Sequence, residues 1–143
     1  MHGWHCQNGT AQTALLVIAK QTTDATATAL TCDGSAASGT NQVILPNNSA
    51  YYFRGEVIAG VTGAGNTAAW TIEGAIKRGS GVGTTAIVGT VIINRTTYDS
   101  GASGWSIAVT ADTTNGGLAI TVTGQASTTI RWVAQIRTTE MTY

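Results

Sequence analysis

Along most of this chain, large apolar side chains recur at every second position, and that spacing admits few architectures. Successive residues of a β-strand point to opposite faces, so a period of two turns one apolar face towards a core. In residues 105–110 Trp105, Ile107 and Val109 share a face, and in residues 118–123 Leu118, Ile120 and Val122 do the same. Between them, residues 112–117 contain Asn115-Gly116, a dipeptide that readily supplies the positive φ angles of a tight turn. Together these pieces predict a β-hairpin.

Three longer strands follow from the same rule. Residues 51–59 place Tyr51, Phe53 and Val57 on one face, with Tyr52, Arg54, Glu56 and Ile58 opposite. Residues 69–77 set Trp70, Ile72 and Ile76 against Thr71, Glu73 and Lys77. Residues 130–138 set Ile130, Trp132, Ala134 and Ile136 against Arg131, Val133, Gln135 and Arg137. Residues 85–94 are apolar on both faces, the pattern expected of a central strand covered on both sides. Shorter strands are predicted at residues 15–20, 27–31 and 42–45.

The connections suit this arrangement. Residues 33–41, 60–66, 79–83 and 99–104 are rich in Gly, Ser or Ala, and residues 46–49 (Pro-Asn-Asn-Ser) form a compact turn. No stretch carries the three-to-four spacing of an amphipathic helix. About eight or nine antiparallel strands at short intervals predict an all-β chain, a single jelly-roll-like β-sandwich. The sandwich is expected over residues 13–143, with residues 1–12 as an N-terminal extension or arm.

Composition narrows the function. Only 10% of residues are charged, seven basic against seven acidic, whereas nucleic-acid binding needs clustered Lys and Arg. Nucleic acid is therefore not an expected partner. Threonine fills close to a fifth of the chain, a residue that favours strands. A surface so weakly charged offers little resistance to self-association. The apolar run at residues 14–19 is far short of the ~20 residues a spanning helix needs, so membrane insertion is not expected. It also lacks the features of a secretory signal, which predicts synthesis in the cytoplasm.

Candidate chemistry is sparse. Glycoside hydrolysis needs two carboxylates held across a sugar, and the acids weighed are Glu56, Glu73, Asp99 and Asp112. Glu56 and Glu73 lie mid-strand near Arg54 and Lys77, which predicts ion pairs at a sheet face or subunit interface. Asp99 and Asp112 read as turn residues. Nucleophilic catalysis usually needs a histidine base, and His2 and His5 both fall in the terminal extension. With Cys6 and Cys32 they match no structural zinc spacing, so neither metal nor cofactor is expected. The two cysteines read either as free buried thiols or as a disulfide formed after lysis. The glycine loops match no phosphate-binding motif. Trp70, Trp105 and Trp132 are in phase with aliphatic residues and read as core, whereas Tyr52 and Tyr98 are the exposed aromatic candidates for stacking on a sugar.

Several segments resemble a β-rich module of bacteriophage tail-fibre and related virion structural proteins. They are residues 21–26 (QTTDAT) with 30–34 (LTCDG), 41–49 (NQVILPNNS), 109–117 (VTADTTNGG) and 130–140 (IRWVAQIRTTE). The resemblance covers almost the whole chain after about residue 10 and carries no catalytic signature. It implies a non-catalytic domain, often homotrimeric, located at the virion surface and used for display or host attachment. Its expected partners are further copies of itself, other capsid or tail proteins and, in a fibre tip, a host surface glycan. A carbohydrate-binding module is the alternative expectation. Trimeric packing would also account for a strand that is apolar on both faces. The sequence shows no shaft, coiled coil or attachment domain, which extends the expectation from tail fibre to capsid decoration.

Overall fold

The computed structural model of the protein describes residues 10–143. Nine strands follow in order: β1 (Thr10–Thr22), β2 (Thr28–Ala29), β3 (Val43–Ile44), β4 (Ser49–Val61), β5 (Thr67–Arg78), β6 (Ala86–Tyr98), β7 (Ser106–Asp112), β8 (Gly117–Thr123) and β9 (Ile130–Thr142). Single 3₁₀ turns occur at Val82–Thr84 and Ser100–Ala102. The described residues contain no helix long and apolar enough to cross a membrane.

The expected all-β sandwich forms from two antiparallel sheets. The larger has the order β1-β9-β4-β5-β6, so β9 lies between β1 and β4. In the smaller, β8 is flanked by β7 on one side and by β2 and β3 on the other. The predicted hairpin is β7–β8, and its Gly116 has φ +80°. β1 begins at Thr10, so residues 10–12, assigned to an arm, pair instead with Thr142, Met141 and Glu140 of β9.

Alternation decides which side chains meet between the sheets. β4 and β9 alternate buried and exposed residues along nearly their whole length. Phe53, Val57, Ile72, Ile76 and Ile136 from the larger sheet pack with Leu118, Ile120 and Val122 from the smaller. At roughly 25 cal/mol per Å² of apolar area, this burial is the main force holding the sheets together. Trp132 lies at the centre, its ring 5.6 Å from Trp70 and 5.9 Å from Trp105. Its buried Nε1 donates to Thr22 Oγ1 at 2.9 Å, which meets the need of a buried indole for an acceptor. The core role expected of these three tryptophans is what the structure shows.

β6 departs from the central strand expected at residues 85–94. Among the described residues it pairs only with β5, and it forms an edge of the larger sheet. Val88, Ile92 and Ile93 are 46%, 62% and 41% exposed. An apolar residue at each position tells nothing of whether a second layer covers it. The smaller sheet leaves much of this strand uncovered. β-Bulges break the β5–β6 register between Ala69 and Trp70 and between Glu73 and Ala75. Around the second, Gly89 has φ +65°, and the bulge puts both Val88 and Ile92 opposite outward residues, Ala75 and Glu73.

Candidate functional site

The outer face of the larger sheet carries most of the residues singled out from sequence. One row across it reads Leu15, Arg137, Arg54, Glu73 and Ile92, each directly opposite the next. Arg54 and Glu73 are therefore brought together as cross-strand neighbours, with Arg137 on the other side of Arg54. Glu56 stands between Gln135 and Thr71, and Lys77 between Ala50 and Ala86, so neither faces an opposite charge across its ladder. Glu73 accepts a hydrogen bond from the Tyr52 hydroxyl at 2.6 Å, which pushes that phenol above its usual range.

The two exposed tyrosines are not brought together. Tyr52 pairs with Ala75 and Tyr98 with Ala68, positions about 23 Å apart along β5 at ~3.3 Å per residue. The Tyr98 ring instead sits 4.0 Å from the guanidinium carbon of Arg95, a cation–π contact. Arg95 also donates to the carbonyls of Ser103 at 2.8 Å and Trp105 at 3.3 Å, linking β6 to the start of β7.

Asp112 takes the turn role expected of it, whereas the Asp99 side chain makes no bond within its own turn and reaches across to β5. Asp99 accepts from the Thr67 N–H at 2.9 Å. Asp112 accepts from the N–H groups of Thr114 and Asn115, from Asn115 Nδ2 and from Gln42 Nε2. Burial opposes its ionisation, but these hydrogen bonds outweigh burial and hold the carboxyl below its usual value. Asp33 organises its loop in the same way through Ser35, Asn41 and Thr31, with the same direction of shift. Cys32 is exposed, which corrects the expectation that it is a buried thiol. Cys6, the proposed other half of a disulfide, lies outside the described residues, as do His2 and His5. Among the described residues no cluster of three His, Cys, Asp or Glu is placed to hold a metal ion.

A different carboxylate stands in the most organised polar environment. Glu140 of β9 is 7% exposed and lies in a row with Gln12 of β1 and Tyr51 of β4. Gln12 Nε2 donates to Oε1 at 2.6 Å, Thr138 Oγ1 donates to Oε2 at 2.5 Å, and the Tyr51 hydroxyl donates as well. Burial, and then the charge of Glu140, raise the Tyr51 phenol far above its usual value of 10.0. Glu140, Thr138 and Tyr51 line a cavity of about 240 Å³ between the sheets, walled also by Leu16, Val43 and Ile136.

Gln42 lines the same cavity. Its Nε2 is committed to Asp112 at 2.9 Å, and its buried Oε1 has no partner. Sequence reasoning missed Glu140, although a signal existed: continuing the inward phase of Ile130, Trp132, Ala134 and Ile136 by two further steps arrives at it. No protein-family model matches the chain, and no curated protein is significantly similar to it.

Proposed function

We propose that the protein is a non-catalytic structural module of a tailed-phage virion surface, serving in display, host adhesion or capsid decoration, and that its copies join as a homotrimer. The observation that carries self-assembly is β6, a 13-residue edge strand presenting Val88, Ile92 and Ile93 to solvent. Such an edge is a template for pairing with another chain unless charge or proline blunts it. The only charged residue on β6 is Arg95, and it is engaged by Tyr98 and two carbonyls. A chain of zero net charge adds no long-range repulsion between copies. The phage context rests on the resemblance of residues 21–26, 30–34, 41–49, 109–117 and 130–140. A non-catalytic role is supported by the carboxylates, since Glu73, Asp99 and Asp112 are each engaged in hydrogen bonds within the fold.

Sedimentation velocity on the wild type and on Ile92→Lys tests the assembly. The wild type is expected to sediment as a trimer and the variant as a folded monomer, because Ile92 makes little contact within its own subunit. A wild type that stays monomeric at high concentration overturns the trimer. Immunogold labelling of intact particles tests the location, and unlabelled virions overturn the phage reading.

A further inference from the structure

The cavity beside Glu140 has a chemistry the structural role does not use. Among the described residues, every group that hydrogen-bonds Glu140 is neutral: an amide, a hydroxyl and a phenol. Among the described residues no Lys, Arg or His lines the cavity. A buried carboxylate is ordinarily matched by a cation, and a buried amide oxygen by a donor. Among the described residues neither a cation for Glu140 nor a donor for Gln42 Oε1 stands in the cavity that the two residues share.

The neighbours fix which end of Gln42 is the acceptor. Its Nε2 must face the carboxylate of Asp112, which accepts only, so Oε1 cannot exchange places with it. The volume of about 240 Å³ far exceeds the ~10–15 Å³ that one water requires. The remaining wall, Leu16, Val43 and Ile136, is aliphatic.

We propose that this cavity binds a primary ammonium group carried on a short aliphatic body. An ammonium offers three donors and one positive charge, which suits the Glu140 carboxylate and the Gln42 carbonyl together. The aliphatic body then lies against Leu16, Val43 and Ile136. A hard metal ion is a poorer match, because Ca²⁺ takes six to eight oxygens and the site offers one carboxylate beside an apolar wall. A carboxylate ligand would meet Glu140 with no cation to offset the repulsion. This inference is independent of the virion reading.

The test is methyl NMR on the full chain, following Leu16, Val43 and Ile136 during titration with butylammonium chloride, butan-1-ol or sodium butyrate. Butylammonium is expected to give saturable shifts confined to these methyls, with butanol binding at least tenfold more weakly and butyrate giving none. Glu140→Gln is expected to weaken butylammonium about tenfold or more, as loss of a charged partner does. No saturable shift with butylammonium overturns the proposal, and so does butanol binding equally well. If Glu140→Gln does not fold, as judged by circular dichroism, the comparison of ligands on the wild type decides alone. A folded Glu140→Gln that binds butylammonium as the wild type does also overturns it.

Discussion

Trp132 stacks on Trp70 with ring centroids 5.6 Å apart and planes inclined by 26°, and this pair joins β9 to β5 across the intervening β4. Because Trp132 is fully buried, Trp132→Ala removes both the stack and the packing on Trp105. The expected loss is about 3–5 kcal/mol, read from urea denaturation. Thr22→Val keeps the shape but strips the acceptor from the Trp132 Nε1, and is expected to cost about 1–3 kcal/mol.

Two glycines with positive φ separate backbone strain from crowding. At Gly89, φ is +65° and a Cβ would meet nothing within 4 Å, so Gly89→Ala is expected to cost about 1–2 kcal/mol from the backbone alone. At Gly116, φ is +80° and a Cβ would collide with the Arg78 guanidinium, which donates to the Leu45 carbonyl at 2.5 Å. Gly116→Ala should therefore be the more destabilising of the two. Equal losses in denaturant midpoint would show that Arg78 moves aside freely.

Acid should weaken the fold through its loop carboxylates. Asp112 and Asp33 titrate below their usual value of 3.8 in the folded chain, so their contribution is present above that pH and is lost as pH falls through the lowered native values. Asp112→Asn is expected to be less stable at neutral pH and to show a shallower decline below about pH 4. Stability measured by denaturant at several pH values checks this. A parallel decline in variant and wild type would remove Asp112 from the account.

Alkali should act through Tyr51. Its phenol titrates well above 10.0 when folded, so its contribution is present below that pH and disappears as pH rises beyond it, where the unfolded chain ionises first. Ultraviolet titration is expected to show Tyr51 ionising only as the protein unfolds. Tyr51→Phe should flatten the fall in stability above about pH 10.

The strands were legible because their inward residues repeat faithfully, as in Tyr51, Phe53 and Val57 or Ile130, Trp132 and Ala134. Ends were less legible: Thr10 to Ala14 of β1 are small or polar, and only their pairing with β9 reveals them as strand. β6 misled for a physical reason. Ile92 and Ile93 look the same in sequence whether a neighbouring layer covers them or solvent does. The cavity was hidden for another reason, since Gln42, Tyr51 and Glu140 are far apart in the chain and meet only through the register of β4 with β9 and the facing sheet.

β9 also sets a timetable. Because it fills the position between β1 and β4, the larger sheet cannot close until residues as late as Thr142 have left the ribosome. Until then, one row of backbone N–H and C=O groups on β1 and one on β4 wait without a partner. Closing this sheet is therefore dominated by contacts distant in sequence, which makes it slow, and nascent chains crowded on one message are exposed to mispairing in the meantime.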